Sequence, residues 1–594
     1  MLVSSEHLWV GDYGQVFEKL KDVSVVLKAL HCRGLPDLTP MFELQTLVNR
    51  GYGAVDWAAE RSHRLKPDVV HVDPKKVYEG ARKVFRMGTD HGYKYKKMKL
   101  DDFIAARWEW SPSGSVHSQH QSDSLYIPKD DYRHRTKFAT LNSMGSEYIK
   151  TFFDRRPEVH AWASTKYEWG KQRAIYGVDL TSATVAHYAM YNCEHVFRHR
   201  FPVGEEAESG RVHRRLKEML EGRESFCYDF DDFNAQHSTA SMVAVLMAFK
   251  DQFVGDMDED QVKAMDWVID SQTNVTVHDN DGQTYKARGT LMSGSRLTTF
   301  INTVLNYVYM DLAGVLSLRG VVDSVHNGDD VLLAVNDYAT AVEVHKRMAA
   351  INARAQAAKC NVYSVGEFLR VEHKLEMEDG LGAQYLSRSC ATFTYSRIES
   401  QAPVRLTDAV SATQSRTTDL IRRAPHSKEL VSALVVKIMD KIANVFSVTK
   451  EAVEMFFSTH VVAGGVSEER WASVANHIYE EVAPEEDDVG YLDKPDEAVT
   501  VSTLYPGVLD YVRIMYRKMR GVVGEDLIFT AVCRATRNQL AVTRKCVVKQ
   551  RRTTSESEFG YARALYRMWK GKFRLPYIAK SRFLGVPPVA LATS

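Results

Sequence analysis

The sequence lacks long apolar runs, paired cysteines and a large net charge. No uninterrupted apolar run approaches the roughly 20 residues that a bilayer-spanning helix needs. The first residues, Met1 to His7, also lack the basic and apolar regions of a signal peptide. We therefore expect a protein with no membrane partner.

The seven cysteines are scattered along the chain and never form a Cys-x-x-Cys pair. This pattern argues against a disulfide framework and against a zinc ribbon, and it favours a reducing compartment. The net charge is +1, so the molecule as a whole has no general attraction to nucleic acid, and only local charged patches could attract it.

Size and composition indicate a globular protein of several parts. At 594 residues the chain is too long for one hydrophobic core and predicts about three or four domains. Hydrophobic residues make up 44% of the chain and charged residues 26%, which is ordinary for a globular protein and does not suggest disorder.

The most informative stretch runs from Ser324 to Val335, where two apolar segments flank Asn327-Gly328. Asn-Gly between apolar runs predicts a β-hairpin, whose tip then carries Asp329 and Asp330. Adjacent carboxylates repel each other unless a cation neutralises them, so the tip is a candidate site for a hard cation such as Mg²⁺. A solvated acidic turn is the alternative.

A second carboxylate follows an apolar lead-in at Phe226 to Tyr228 and precedes a helix-like run, Met242 to Phe249. This order predicts that Asp229 lies at the carboxyl end of a strand, where it could bind a metal. Asp231 and Asp232 follow too closely for all three side chains to face one site.

Two further segments carry candidate ligands for a nucleotide. If residues 166–177 are extended, Lys171 and Arg173 share one face and suit a polyphosphate, although an exposed basic strand explains them equally well. The loop with Ser293 and Gly294 runs into a helix, on which Thr298 and Asn302 share a face. Such a loop could cradle a sugar or phosphate, or simply cap the helix.

Four other segments give weaker predictions. Residues 339–358 predict a helix that ends at Lys359, before a strand at 361–365. His91 to Lys99 interleaves tyrosines with lysines, which suits either RNA contact or a solvated face. Glu480 and Glu481, followed by Glu485 to Asp488 after Pro484, predict an exposed loop or an internal boundary. The basic, aromatic last sixty residues suit an RNA-facing, capsid-facing or solvated surface.

In this order, the motifs of residues 166–390 resemble those of viral RNA-dependent RNA polymerases. Asp229 to Asn234 is similar to the first palm motif, Asp-x-x-x-x-Asp/Asn. Ser293-Gly294 with Thr298 and Asn302 is similar to the second, and Gly328-Asp-Asp to the third. The sequences that flank these motifs, such as Asp-Phe-Asn-Ala-Gln-His-Ser, resemble those of totivirus polymerases, especially the yeast type.

The resemblance implies an α+β right-hand fold with fingers, palm and thumb, an antiparallel palm sheet, and helical N- and C-terminal regions. The implied divisions are an N-terminal region with fingertips at 1–156, fingers at 157–222 and 251–288, palm at 223–250 and 289–400, and a thumb with the C-terminal region at 401–594.

The resemblance also assigns the carboxylates and cations. Asp229 and Asp329 would hold two Mg²⁺ ions, with Mn²⁺ as the alternative ion, and Asp330 would support the second. Lys171 and Arg173 would clamp the incoming triphosphate. Lys359 would protonate the leaving pyrophosphate, or on the sequence alone would cap the preceding helix.

Asn234 carries a prediction about the sugar. An amide can hydrogen-bond a ribose 2′-hydroxyl, so Asn234 with Ser293, Gly294, Thr298 and Asn302 would select ribonucleotides. Three cations are candidate RNA contacts: Lys166, Arg370 and Arg388. For the two arginines, a stabilising ion pair is the open alternative.

The implied function is template-directed RNA synthesis, in transcription and replication of a double-stranded RNA viral genome. Its partners would be template and product RNA, ribonucleoside triphosphates, and a viral capsid protein, fused or non-covalent. The expected location is the virion interior and the host cytoplasm. A non-catalytic RNA-binding or packaging module is the main alternative, but the carboxylate set is complete. A metal-dependent nuclease rarely carries such a ribose cradle.

Overall fold

The structure is a computed structural model that describes part of the chain: residues 5–31, 36–51, 53–129, 132–356, 359–363, 365–373, 385–395, 405–469, 471–482, 501–519, 524–541 and 545–552. Of the last sixty residues the structure describes only 535–541 and 545–552, and residues 483–500 also lie outside the described residues. The interpretations of those segments therefore stay predictions.

Helices dominate the described residues, which also contain twelve strands. The helices are α1 (Glu6–Trp9), α2 (Tyr13–Leu30), α3 (Trp57–Leu65), α4 (Pro74–Asp90), α5 (Leu100–Ala105), α6 (Arg107–Trp110), α7 (Lys137–Ser143), α8 (Ser146–Lys150), α9 (Leu180–Ala189), α10 (Ser209–Met219), α11 (Thr239–Phe253), α12 (Glu259–Ser271), α13 (Thr298–Leu312), α14 (Tyr338–Ala350), α15 (Leu386–Thr394), α16 (Leu406–Arg423), α17 (Lys428–Phe446), α18 (Lys450–Ser458), α19 (described over 501–504), α20 (Pro506–Lys518) and α21 (Glu525–Leu540).

The strands are β1 (Val159–Glu168), β2 (Lys171–Val178), β3 (Glu224–Tyr228), β4 (Val275–His278), β5 (Thr284–Lys286), β6 (Val321–Asn327), β7 (Asp330–Val335), β8 (Asn361–Tyr363), β9 (Glu367–Phe368), β10 (Val371–Glu372), β11 (Asn476–Val482) and β12 (Cys546–Arg552). Short 3₁₀ segments connect them, and two of these bear on the site: Leu44–Val48 and Phe233–Gln236.

One antiparallel sheet, in the order β6-β7-β3-β8, lies at the centre of the site. Strands β3 and β7 are buried on both faces because their successive side chains alternate between two cores. Phe226, Tyr228 and Val331 face the largest core, whereas Cys227 and Leu332 face a smaller one that includes α10 residues. This double burial explains why the strands read as continuous apolar runs.

A second sheet, in the order β2-β1-β4-β5, carries the predicted basic strand. Its β1–β2 pair is antiparallel and runs without interruption from Ala161↔Val178 to Glu168↔Lys171, whereas β1 and β4 are parallel. Residues 171–178 are therefore extended, as predicted.

Helix α4 shows how sequence pattern builds the main core. The Asp73 side chain caps its first turn and Pro74 occupies the first helical position, where no backbone hydrogen is needed. Its buried residues, among them Val77, Val84 and Phe85, follow helical spacing and pack against α11 and α13. The core thus fixes α13, which the site uses.

The C-terminal third is mainly helical, as predicted, but it also contains the antiparallel pair β11–β12. The prediction that Glu480 and Glu481 form an exposed loop is wrong, because both lie in β11. Glu480 is buried and accepts hydrogen bonds from Arg405 and Thr407, and Glu481 pairs with Lys549. Both glutamates therefore form ion pairs and are largely shielded from solvent.

Two other expectations need correction. Helix α14 ends at Ala350 and not near Lys359, because Asn352 adopts a left-handed conformation (φ 61°) and the chain then runs beside Phe230. In the segment 91–99, Tyr95 is buried and donates to the carbonyl of Ala189, so its ring is not available to stack on bases. For the exposed lysines of this segment, RNA contact and a solvated face both stay predictions.

Mixed helices and strands with mainly antiparallel pairing agree with the predicted α+β class. Six cysteines lie in the described residues and all are free thiols; Cys32 lies outside them. Among the residues with described positions, no helix is both long and apolar enough to cross a membrane.

Candidate active site

The predicted site residues meet in one cavity of about 1660 Å³. Its walls come from both sheets, from the loop before α13 and from the N-terminal helix α2. Eleven of the fourteen candidates line it: Lys166, Arg173, Asp229, Asn234, Ser293, Gly294, Asp329, Asp330, Lys359, Arg370 and Arg388. Thr298 and Asn302 lie behind the wall, and the side chain of Lys171 lies outside the described residues.

The acidic tip is a β-hairpin, as predicted, with a two-residue turn. Asn327 pairs with Asp330, so the turn residues are Gly328 and Asp329, one position later than the Asn-Gly pair suggested. Gly328 has a φ of 62°, a conformation that glycine adopts without strain. Asp329 is exposed at the turn, and Asp330 begins β7.

Helix α13 holds this tip through three hydrogen bonds. Thr303 accepts from the backbone nitrogen of Gly328 at 2.9 Å, and the Asn306 amide donates to the carbonyls of Gly328 at 3.1 Å and Asp330 at 3.3 Å. All these α13 side-chain groups are buried. Sequence reasoning missed Thr303 and Asn306. The signal was a polar residue, Asn306, four positions after Asn302 in an otherwise apolar helix.

Asp229 directly follows β3, where the sequence predicted it. The last pair of the β3–β7 ladder is Tyr228↔Val331, so Asp229 lies opposite Asp330 one step further on. The carbonyl of Asp229 accepts from the backbone nitrogen of Gln356 at 2.9 Å, which fixes the chain at this point. Asp231 and Asp232 are exposed beyond it and also line the cavity.

The surroundings of Asp229 and Asp330 raise the pKa of both carboxyl groups. Loss of bulk solvation and the charges of Asp329, Glu367 and Asp229 together raise the pKa of Asp330 to about 7, while Arg370 opposes them. Desolvation also raises the pKa of Asp229, whereas Lys359 lowers it and Asp329 raises it. Negative charge is therefore incompletely balanced at this end of the cavity.

Lys359 provides the closest cation. Its Nζ lies 3.4 Å from Oδ2 of Asp229, and both side chains remain partly exposed. The alternative role as a cap for the preceding helix is wrong, since α14 ends at Ala350. The structure thus places Lys359 beside the predicted metal ligands.

The carboxylates do not form a closed metal cage in this structure. Among the described residues, no group of three or more His, Cys, Asp or Glu side chains is arranged to hold a metal ion. The donor chemistry nevertheless suits a hard divalent cation, because Asp229, Asp329 and Asp330 share one wall and the charge of Asp329 raises the pKa of the other two.

The loop before α13 is fastened to β2. Ser293 Oγ accepts from the Tyr176 nitrogen at 2.9 Å, and the Gly294 nitrogen donates to the Tyr176 carbonyl at 2.9 Å. A Cβ on Gly294 would lie 2.5 Å from that carbonyl, so only glycine fits. Thr298 donates to the carbonyls of Met292 and Ser295, so it closes the loop.

Asn234 reaches the cavity wall from the 3₁₀ segment Phe233–Gln236. Its Oδ1 accepts from Nδ2 of Asn302 at 2.8 Å. Asn302 is buried and its Oδ1 faces Nε2 of His237 at 2.9 Å. In this structure Asn302 supports Asn234 from behind the wall.

The cations of the β1–β2 pair share an acidic partner. Lys166 and Arg173 lie directly opposite each other, and Glu168 is 3.0 Å from Lys166 Nζ and 3.5 Å from Arg173 Nε. Arg173 keeps half of its side chain exposed to the cavity. For Lys171, the structure describes the backbone in β2 but not the side chain.

The two weaker candidates have different surroundings. Arg370 lies with Leu369 in a tight turn between β9 and β10, both at positive φ (64° and 51°), and its charge lowers the pKa of Asp330. Arg388 forms a bidentate ion pair with Glu43, with Nε 2.6 Å from Oε2. Both partners of that pair are largely buried, so the stabilising alternative describes Arg388 in this structure.

Comparison with known proteins identifies the family. A sequence profile described as viral RNA-directed RNA-polymerase matches residues 3–398, about two thirds of the chain. The chain belongs to this family. The polymerase profile extends through the carboxylate strands, the loop before α13 and Arg388, and so covers every predicted site residue.

Individual relatives agree. The chain is 43% identical over 99% of its length to the probable RNA-directed RNA polymerase of Saccharomyces cerevisiae virus L-A, and 34% identical over 94% to that of Saccharomyces cerevisiae virus L-BC. A more distant relative, the probable polymerase of Leishmania RNA virus 1 - 1, is 28% identical over 62%. The chain spans 39%, 36% and 41% of these three proteins. The resemblance to totivirus polymerases is confirmed.

Proposed function

We propose that this polymerase chain synthesises RNA on an RNA template by transferring nucleotides from ribonucleoside triphosphates to an RNA 3′-hydroxyl. The observation that carries this proposal is the convergence, in one cavity, of carboxylates from two neighbouring strands with a candidate sugar contact and several cations. Family membership supports the same reaction.

Divalent cations are part of this proposal, with Mg²⁺ preferred and Mn²⁺ as the alternative. Asp229 and Asp329 would bind them and Asp330 would support the second position. Bound ions would activate the 3′-hydroxyl and neutralise charge on the reacting phosphates. The support is that desolvation and the charge of Asp329 raise the pKa of both Asp229 and Asp330, a rise that a bound divalent cation would counter.

The chain's own cations would act on the phosphates. Arg173 and Lys166 face the cavity and would offset charge on the incoming triphosphate, together with Lys171 of the same strand. Lys359, held at the Asp229 carboxylate, would donate a proton to the leaving pyrophosphate. Arg370 would contact the product strand beside Asp330.

We also propose the right-hand division of the fold. The β6-β7-β3-β8 sheet with α11 and α13 would be the palm, and the β2-β1-β4-β5 sheet would belong to the fingers. Helices α16 to α21 would form the thumb and C-terminal region. The predicted boundaries at 156, 222, 250, 288 and 400 belong to this proposal.

The biological setting is inferred from the relatives. Similarity to totivirus polymerases supports transcription and replication of a double-stranded RNA genome, inside the virion and in the host cytoplasm, beside a capsid protein that is fused or non-covalent. RNA and ribonucleoside triphosphates would be the other partners.

The decisive experiment measures nucleotide incorporation on single-stranded and double-stranded RNA with Mg²⁺ or Mn²⁺. Asp329→Asn should abolish synthesis while circular dichroism shows a folded protein, because Asp329 is exposed at a turn. Asp323→Asn is the matched control, since Asp323 is exposed on the same hairpin but lies away from its tip. Synthesis by Asp329→Asn at the wild-type rate would refute the site. RNA binding without synthesis by the wild type would instead favour a packaging module.

A further inference from the structure

Behind Asn234 lies a chain of buried hydrogen bonds that ends at the cavity wall. Nδ1 of His237 lies 3.2 Å from the Tyr309 hydroxyl, Nε2 of His237 lies 2.9 Å from Oδ1 of Asn302, and Nδ2 of Asn302 donates to Oδ1 of Asn234 at 2.8 Å. The Tyr309 hydroxyl also hydrogen-bonds the Ser241 side chain. His237, Asn302 and Tyr309 are 4% exposed or less.

The orientation of the Asn302 amide sets the direction of these bonds. Burial lowers the pKa of His237 to about 4, so its ring is neutral near pH 7 and carries one N–H. An amide oxygen can only accept, hence Nε2 of His237 carries the hydrogen and Nδ1 accepts from Tyr309. Every donor from Tyr309 onward therefore points towards Asn234.

The consequence appears at the cavity end. Oδ1 of Asn234 is occupied by Asn302, which leaves the Nδ2 amide as the group that Asn234 offers to a ligand. Within the described part of the chain, no residue accepts a hydrogen bond from this amide, and Asn234 lines the cavity. An N–H group recognises an acceptor.

We propose that Tyr309, His237 and Asn302 form a relay that fixes Asn234 as a hydrogen-bond donor to the 2′-oxygen of the incoming ribonucleotide. The inference deepens the proposed function and rests on it. Asn234 is the residue that touches the substrate, and the other three are positioning residues. The site selects a 2′-group that can accept a hydrogen bond, and it does not distinguish whether that group can also donate one.

Nucleotide analogues test the polarity of this contact. The 2′-fluoro group is a weak acceptor that cannot donate, and 2′-hydrogen is neither. Wild type should incorporate 2′-fluoro nucleotides roughly two- to twelvefold better, in kcat/KM, than 2′-deoxy nucleotides, the value of one neutral hydrogen bond. Asn234→Asp offers an oxygen instead, so it should still use ribonucleotides but lose or reverse the fluoro preference. An unchanged fluoro-to-deoxy ratio in Asn234→Asp would overturn the proposal.

Substitutions behind the wall test the relay. His237→Phe removes the donor to Asn302, and Tyr309→Phe removes the donor to the His237 ring. Each change lets the next residue of the relay reorient, so the fluoro-to-deoxy ratio should fall towards one. His237→Gln should restore it, because a glutamine amide can replace Nε2 as donor to Asn302. Tyr307→Phe on the same helix is the control and should keep the wild-type ratio, since Tyr307 packs against Phe201 and Arg200 instead.

The outcomes separate the inference from the function beneath it. If wild type incorporates no nucleotide, the proposed polymerase function fails. If wild type incorporates ribonucleotides but uses 2′-fluoro and 2′-deoxy analogues equally, or if His237→Phe and Tyr307→Phe give the same ratio, the function stands and the relay is refuted.

Discussion

The side chain of Asn306 in α13 donates to the backbone carbonyl of Asp330, the first residue of β7, at 3.3 Å. The acidic turn is therefore held by a buried helix and not only by its own strands. Metal-binding carboxylates need such support because small displacements weaken a site.

Removal of the Asn306 amide should loosen the turn. Asn306→Leu leaves the carbonyls of Gly328 and Asp330 without this donor and Nδ1 of His326 without its partner, so we expect a loss of about 1–3 kcal/mol in unfolding free energy and a marked loss of synthesis. Chemical denaturation and an incorporation assay measure the two effects. Thr299→Ala, exposed on the same helix, should change neither. Equal behaviour of the two variants would contradict the anchoring role.

Lys359→Met tests the proton donor. The Lys359–Asp229 pair is partly exposed, so its loss should cost under about 1 kcal/mol of stability. The loss of a general acid should slow synthesis by about 10²–10⁴-fold in single-turnover measurements. A variant that retains near wild-type turnover would show that the lysine only balances charge. Lys346→Met, on α14, serves as the lysine control.

A double-mutant cycle separates the two interpretations of Arg388. If its ion pair with Glu43 is structural, Arg388→Met should cost about 3–5 kcal/mol, because Glu43 is left buried and unpaired. Glu43→Gln in the same chain should recover part of that loss. An Arg388→Met protein of normal stability but weakened RNA affinity would point to RNA contact instead.

Stability should fall at acid pH through Asp123. Burial would raise the pKa of this carboxyl, but hydrogen bonds from Arg155, Ser118 and Tyr148 outweigh burial and lower it below 3.8. A depressed folded-state pKa stabilises the fold above pH 3.8, and this stabilisation disappears as the pH falls through the lower value. Asp123→Asn should remove it at pH 7 as well, by about 3–5 kcal/mol.

The matched control for Asp123 is a surface ion pair. Glu147 pairs with Lys150 but is 86% exposed, so Glu147→Gln should change stability by under about 1 kcal/mol. Denaturation at pH 7 and near pH 3 compares the variants with wild type. If Asp123→Asn and Glu147→Gln lose equal stability at pH 7, the buried network around Asp123 does not support the fold.

Local sequence signals predicted the elements that carry the candidate carboxylates. The turn signal at Asn327-Gly328 indicated the hairpin, and the apolar lead-in indicated the strand before Asp229, because both depend on residues close in sequence. The register of the turn was off by one, since Asn327 pairs with Asp330.

Long-range contacts could not be predicted in this way. Nothing in the sequence joins Glu43 to Arg388, or Glu480 to Arg405, and those pairs turn apparently free charges into buried partners. The end of α14 was also missed, because an Ala-rich pattern favours a longer helix than the left-handed Asn352 permits. The relay behind Asn234 combines residues from α13 and from the segment before α11, which only the fold brings together.

Helix α2 closes the cavity, although it lies far in sequence from the two surfaces that it joins. Lys28 Nζ lies 2.8 Å from the Glu367 carboxylate, and at the other end Phe17 packs so tightly against Gly170 (φ 72°) that a Cβ there would lie 1.8 Å from the ring. The helix is translated early, whereas both surfaces that it joins are translated later. During synthesis Lys28 of α2 therefore lacks its ion-pair partner until residue 367 has left the ribosome. The cavity can be completed only after the β6-β7-β3-β8 sheet exists, so the nascent chain has no finished candidate site before that stage.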